Sequence, residues 1–433
     1  MKHSVIFNKD RCTGCTVCVK VCPTEAIRVT RSKAVIYDDR CIDCGRCVSV
    51  CPHHAFSVRS DSLDQLKGYR YNIAIPDTSF YGQFKNLYDM NIVNEGLVRL
   101  GFDDVWPDAV GAEMLSDLWR RREDLLFTPE VTKISSECPA VVRLVAMEYQ
   151  ELIPNVVDSL CAFEMTAVAA RKEAVRKTGL KPQEIGIGLL SPCPAKNTRV
   201  YKPIGLEKPV VDYVLPMNDI YVRLLSPMKA VEQPQRDYVR AGQLGMSWGR
   251  SGGMSDMFPE REALAVDGAE NAQRILSEIE DEKLSEAELV ETSICTQGCF
   301  GGCLTVENPF TAKLHMRRLT EHLERQRLTM PEEFRERVRW DFELEEINTE
   351  IADTIAQALQ IEVAAERLYK TLPKFDCGNC GAPSCRAFSR DVAEGFADEG
   401  DCIFNIIRAM REGRSHEEES DEFVPPPYRR PLD

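Results

Sequence analysis

Histidine, positive charge and long apolar runs are all in short supply in this chain. The six histidines lie outside every cysteine motif, which disfavours His-containing zinc or Rieske sites and leaves thiolates as the expected metal ligands. Asp and Glu outnumber Lys and Arg by 69 to 54, and the formal net charge of −15 would repel nucleic acid and anionic membrane surfaces. No stretch approaches the roughly 18 to 20 uninterrupted apolar residues of a membrane-spanning helix. Short runs such as Glu184-Ile185-Gly186-Ile187-Gly188-Leu189-Leu190 come nearest. The opening Met1 to Asp10 reaches charged residues before any apolar run could form, so no secretory signal is read there. A soluble cytoplasmic protein with reduced thiols is expected, its partners being small neutral substrates and redox proteins.

What the chain has in abundance is cysteine: 18 in 433 residues. A chain this long can bury a core without disulfide staples, so the cysteines are read as ligands. Residues 1–62 hold two copies of one pattern, Cys12-x2-Cys15-x2-Cys18-x3-Cys22-Pro23 and Cys41-x2-Cys44-x2-Cys47-x3-Cys51-Pro52. This is the signature of a two-cluster bacterial ferredoxin, in which the fourth cysteine of each run ligates the other run's cluster. Cys12, Cys15, Cys18 and Cys51 are therefore expected to hold one 4Fe-4S cluster, and Cys41, Cys44, Cys47 and Cys22 a second, in an α+β ferredoxin-like domain.

Between residues 70 and 340 short apolar runs such as Tyr71 to Pro76 alternate with amphipathic segments such as Val93 to Leu100, the pattern of α/β units. Three separated loops in this span carry cysteines: Cys138-Pro139, Pro192-Cys193-Pro194-Ala195-Lys196 and Cys295-Thr-Gln-Gly-Cys299-Phe-Gly301-Gly302. From Trp340 to Leu372 apolar residues recur at helical spacing among many Glu, predicting one or two long helices. A helical module over 341–410 then carries Cys377, Cys380, Cys385 and Cys402, whose spacing alone admits zinc or a 4Fe-4S cluster. The acidic, proline-rich segment 411–433 reads as a mobile tail.

The three-loop set resembles the active-site domain of the iron-iron hydrogenases. The resemblance implies that Cys138, Cys193, Cys295 and Cys299 ligate a 4Fe-4S cluster, and that Cys299 also bridges to a two-iron subsite bearing carbonyl, cyanide and a dithiolate. Lys196 stands where the family places a lysine that donates to a cyanide. Soft thiolates suit iron-sulfur chemistry, and an ammonium facing an anionic ligand makes a charge-assisted hydrogen bond. Pro192, Gly301 and Gly302 fall in the same loops, the glycines being expected to let backbone approach a bulky cofactor. Further likeness lies in Glu164-Met165, Val211-Asp212-Tyr213-Val214-Leu215 and Ser251-Gly252-Gly253-Met254, which implicates Met165, Ser251 and Gly252 in cofactor binding. The run Cys377-Gly-Asn-Cys380-Gly-Ala-Pro-Ser-Cys385 resembles the small cluster module behind the hydrogenase domain in sensory members. It implies a fourth 4Fe-4S cluster.

The departures bear on rate. Glu137 occupies the position of a proton-passing cysteine; it either relays protons from a buried carboxyl or points to solvent. Ser293 replaces a methionine and Arg199 a glutamate, changes expected to tune potential and rate more than assembly. Glu291 matches a family glutamate and is a candidate for a proton route, or else for a cap or salt bridge. Cys161 and Cys303 fall outside every set of four and read as packed thiols, although Cys303 lies as far from Cys299 as Cys299 does from Cys295, which admits a shifted ligand pair. The expected activity is reversible cleavage of dihydrogen to protons and electrons, slow and sensory, relayed through ferredoxin-type clusters to a redox or signalling partner. Maturation proteins would insert the subsite, and a homodimer seam along the long helices is conceivable. The alternative is a hydrogenase-like scaffold or electron carrier that lacks the subsite.

Overall fold

The computed structural model describes residues 3–127, 131–349, 354–411 and 424–429. At the N-terminus, β1 (Val5–Phe7) pairs antiparallel with β4 (Phe56–Val58), and β2 (Ile27–Thr30) with β3 (Lys33–Ile36). Helices α1 (Val17–Val21) and α2 (Arg46–Val50) each carry the third cysteine of a motif, with the fourth, Cys22 or Cys51, as C-cap. The duplicated sequence thus folds as a duplicated α+β unit. Its small core mixes Val5, Val19, Ile27, Val29 and Phe56 with the cysteines themselves.

The span 70–340 contains β5 (Tyr71–Pro76), β6 (Asp104–Val105), β7 (Lys133–Ile134), β8 (Ile185–Ser191), β9 (Tyr213–Pro216), β10 (Ala263–Asp267) and β11 (Leu289–Ser293). They form two sheets, ordered β6-β5-β8-β9 and β10-β11-β7, and every pairing is parallel. Parallel sheets are covered on both faces, which is why β8 reads as an apolar run and is buried along its whole length. The helices of this span are α3 (Met90–Leu100), α4 (Ala109–Arg121), α5 (Pro139–Glu148), α6 (Ala162–Thr178), α7 (Pro194–Tyr201), α8 (Met217–Lys229), α9 (Gln243–Met246), α10 (Ala269–Glu280) and α11 (Pro309–Thr320). Ligands of open α/β sheets sit beyond the carboxyl ends of the strands. Here the loops after β7, β8 and β11 carry Cys138, Cys193 and Cys295.

The C-terminal module is helical, with α12 (Ile355–Thr371), α13 (Cys385–Ala393) and α14 (Ile403–Arg411) around Leu368, Leu372, Phe388 and Ile406. The predicted helix from Trp340 is corrected: 341–349 is irregular and the described helix begins at Ile355. Four of the seven residues 341–347 are acidic, while Leu344 and Ile347 pack on the core beside α5 and Ile347 N donates to Ala146 O at 2.8 Å. Packing an apolar pair against the α/β domain has won over local helix formation among like charges. The tail reading is also corrected where it can be seen. Residues 412–423 and 430–433 lie outside the described residues, but 424–429 dock on the ferredoxin-like domain, with Arg31 N donating to Pro426 O at 2.7 Å and Ser32 Oγ to Pro427 O at 3.0 Å. No described helix is long and apolar enough to cross a membrane.

The ferredoxin-like domain lies between the other two modules. Toward the α/β domain, fully buried Asp43 accepts from Ser4 N (2.9 Å), Val5 N (3.2 Å) and Thr198 Oγ1 (2.6 Å), and pairs with Arg143 at 3.3 Å. Toward the C-terminal module, Arg28 and Asp391 form a buried bidentate pair, Nε to Oδ2 at 2.5 Å and Nη2 to Oδ1 at 2.9 Å. Val29 N also donates to Gly381 O at 3.0 Å. Breaking a buried pair leaves an uncompensated charge, so Arg28→Ala is expected to cost about 3 kcal/mol. It should also expose the C-terminal module to limited proteolysis, and Arg28→Ala with Asp391→Ala should recover part of the loss; denaturant unfolding and cleavage kinetics check both.

Candidate metal centre

Why the cysteines of two loops precede proline follows from where they sit. Cys138 is the N-cap of α5 with Pro139 as first helical residue, and Cys193 is the N-cap of α7 with Pro194 in the same place. Proline suits the first helical position because its missing N–H has no partner there, and the helix N-terminus favours the negative charge of a thiolate or an anionic cluster. The third loop leaves β11, crosses Gln297 and Gly298 in left-handed conformation (φ 65° and 69°), and enters a short 3-10 turn over Gly298–Gly301.

These loops bring four thiols together. Burial first, and then the neighbouring Cys193, Cys138, Cys303 and Cys299, push the Cys295 thiol far above its ordinary range. Cys299 is raised by burial and then by Asp77, with Cys193 and Cys138 adding to it, and Cys193 is pushed up to about 12, chiefly by burial. Cys138, Cys193, Cys295, Cys299 and Glu137 each keep some accessible surface, whereas Cys161 has none. Four neighbouring, partly accessible thiols fit a 4Fe-4S cluster, and cluster binding there must release their protons.

Lys196, at the third position of α7, is buried beside Cys299. Its Nζ lies 2.5 Å from Asp77 Oδ2 and 3.9 Å from Asp108 Oδ2. Burial acts to lower the ammonium, but Asp77, Cys299, Asp108 and Glu137 outweigh it and hold the charge. Asp108 is itself raised well above the usual carboxyl range, by burial and then by Asp77. Sequence reasoning missed both aspartates. Asp77 could have been found by its position, because it follows Pro76 at the carboxyl end of β5 just as the Cys193 loop follows β8.

Glu137 points inward. Its Oε1 accepts from Ala162 N at 2.7 Å at the N-terminus of α6, burial raises its carboxyl, and Trp248 Nε1 faces it without completing a hydrogen bond of ordinary length. Arg199 is engaged with Glu164, Nε to Oε1 at 2.7 Å and Nη2 to Oε2 at 2.8 Å, and also donates to Ser136 O at 3.3 Å. It is fully buried, and the pair braces the Cys138 loop against α6. Glu291 acts as a cap: Oε1 accepts from Gly252 N (3.0 Å), and Oε2 from Met254 N (3.0 Å), Ser255 N (2.8 Å) and Ser255 Oγ (3.0 Å). This holds the turn that contains Ser251 and Gly252. Ser293 Oγ donates to Cys295 O at 3.3 Å, and Met165 is fully buried in α6.

The glycines serve a role other than the expected one. A Cβ on Gly301 would strike Thr296 O, and one on Gly302 would strike Pro192 O, so both allow protein loops to pack on each other. Pro192 O also accepts from Leu304 N at 2.9 Å, locking the second loop to the third. Cys303 neighbours Cys193 and Cys295. A Cβ on Gly45, next to Cys44, would come within 2.6 Å of Cys303 Sγ and 3.1 Å of Pro194 Cδ. In the C-terminal module Cys377, Cys380, Cys385 and Cys402 line one small cavity, and Cys380 is raised to about 12 by burial.

Residues 73–261 match the family described as iron only hydrogenase large subunit, C-terminal domain. That span of the chain is a domain of the iron-iron hydrogenase family. Residues 4–52 match a 4Fe-4S dicluster domain and residues 372–404 an Fe-S cluster family, so 4Fe-4S clusters are part of this protein. Among solved structures, the FeFe-hydrogenase HydA(deltaEFG), described in terms of stepwise H-cluster assembly, is 15% identical at a TM-score of 0.45, covering 61% of this chain and 88% of that one. A variant of the FeFe-hydrogenase HydA1 from Chlamydomonas reinhardtii is 14% identical at a TM-score of 0.43, covering 59% and 87%. No curated protein matches. The family match of the hydrogenase domain takes in the Cys138 and Cys193 loops and ends before Cys295.

Serine in place of a ligand weakens or removes a cluster. Cys295→Ser is expected to abolish the paramagnetic signal of the catalytic-domain cluster and about a quarter of the bound iron, whereas Cys161→Ala and Cys303→Ala keep both. Iron analysis with electron paramagnetic resonance (EPR) of the reduced proteins checks this.

Proposed function

We propose that this protein is an iron-iron hydrogenase that cleaves dihydrogen heterolytically at a centre made of a 4Fe-4S cluster and a two-iron subsite, slowly, and in a sensory or regulatory role. The observation that carries the reading is the convergence of Cys138, Cys193, Cys295 and Cys299, with a buried, charged Lys196 beside Cys299. An ammonium is seldom buried unless an anion requires it. The two-iron group, when bound, supplies the iron at which dihydrogen is polarised and split into protons and electrons.

The chain's own residues have separate tasks. Cys299 would hold the subsite, Lys196 would direct its remaining donors at anionic ligands, and Met165 and Pro192 would wall the space against water. Glu137 would be the carboxyl that takes a proton from the centre. Its carboxyl is pinned by Ala162 N–H, and behind it lies the Arg199–Glu164 pair. A proton path that depends on a fixed carboxyl beside an engaged ion pair suits slow turnover better than bulk production. Electrons would pass from the Cys295 side across the Cys303–Gly45 contact to the ferredoxin-type clusters, and from there to the C-terminal cluster. Val29, which lines the Cys12-Cys15-Cys18-Cys51 cavity, is bonded to Gly381 beside Cys380, and Lys20 donates to Asp376 O and to Pro383 O. Exposed Cys377 would place the last cluster within reach of a redox or signalling partner.

Heterolysis is tested by isotope exchange. Deuterium gas over the matured protein in light water is expected to yield HD slowly, and Lys196→Met to yield none; a scaffold or electron carrier would yield none in either form. The order of the relay is tested under dihydrogen by EPR. Cys380→Ser is expected to leave both ferredoxin-type clusters reducible, whereas Cys44→Ser should stop electrons from reaching the C-terminal cluster.

A further inference from the structure

Asp77 holds the lysine beside Cys299, and it also belongs to the hydrogen-bond path that fixes Cys299 itself. Its side chain has no accessible surface. Oδ1 accepts from Ser79 N at 2.9 Å and from Ser79 Oγ at 2.5 Å, leaving Oδ2 to take Lys196 Nζ at 2.5 Å. The next residue, Thr78, accepts from Gly249 N through Oγ1 at 3.0 Å, and Gly249 O accepts from Cys299 N at 2.8 Å. Thr78 N in turn donates to Asp108 Oδ1 at 2.8 Å. One short loop at the carboxyl end of β5 therefore sets both the charge next to Cys299 and the position of its backbone.

We propose that Asp77 is a positioning residue of the centre, whose carboxylate fixes Lys196 and offsets its charge, so that iron held on the Cys299 side keeps more electron density than a free lysine would leave it. This rests on the hydrogenase reading above and adds a residue to that same site. The physical basis is Coulombic. In an enclosed space a charge a few ångströms from a metal centre acts with little screening, and groups behind the ligands tune its potential. Without the carboxylate, Lys196 retains its position on α7 and the weaker influence of Asp108 at 3.9 Å, and the field at Cys299 becomes more positive. A more positive field withdraws electron density from iron, which raises the stretching frequencies of iron-bound carbonyls and favours the reduced cluster.

The variant is Asp77→Asn, which keeps the shape and one acceptor while removing the charge. Two readouts are taken on the full chain: infrared carbonyl and cyanide bands of matured protein, and the midpoint potential of the catalytic-domain cluster from an EPR-monitored redox titration. The expected result is an upward shift in both. Asp108→Asn is expected to move both the same way by less, and it carries the test should Asp77→Asn fail to fold. Unchanged bands and potential in a folded Asp77→Asn protein, or shifts downward, would overturn the proposal. If wild-type protein shows no carbonyl or cyanide bands, the hydrogenase reading fails, while the cluster potential still decides the role of Asp77.

Discussion

A thiolate or an ammonium kept from water is costly unless something opposes its charge, and the architecture of the α/β domain is arranged around that cost. Strands of two parallel sheets feed the site, and the loops leaving β7, β8 and β11 bring Cys138, Cys193, Cys295 and Cys299 together. Helix N-termini at α5 and α7 offset negative charge on two of the sulfurs, and Lys196 does so for Cys299. Lys196 in turn needs Asp77, and Asp77 needs the Ser79 donors. Each buried charge has its answer in the next group, and the sequence of answers runs from β5 to Cys299.

The same economy of pairing joins the modules. Asp43 sits between Cys41 and Cys44, yet its carboxylate is spent on Ser4, Val5, Thr198 and Arg143, so the loop that would hold a ferredoxin-type cluster is also the joint to α5 and α7. On the other side, Arg28 and Asp391 join β2 to α13. Joints placed next to ligand loops keep cluster-bearing segments at fixed separations, which electron transfer between modules needs. The side chains of Cys303 and Pro194 press so closely on Gly45 that even a methyl group there would meet the Cys303 sulfur.

Much of this was readable in the sequence because it is local. The duplicated cysteine runs, the Cys-Pro pairs that became N-caps with proline at the first helical position, and the apolar runs that became β5 and β8 all depend on near neighbours. What escaped depends on residues far apart. Lys196 and Asp77 are 119 positions apart, Arg199 and Glu164 are 35 apart, and nothing in either member's surroundings names the other. Helical spacing after Trp340 misled for a related reason. Leu344 and Ile347 mark a strap anchored on α5, and periodicity cannot distinguish an anchor from a helix face. The docked Pro426 and Pro427 likewise show that composition alone does not decide whether a tail packs.

The central claim is that the space beside Cys299 and Lys196 holds a reactive two-iron subsite, and infrared spectroscopy of anaerobically matured protein under dihydrogen and then under argon tests it most directly. The account predicts carbonyl and cyanide bands that shift between the two gases. A full complement of cluster iron with no such bands would contradict it.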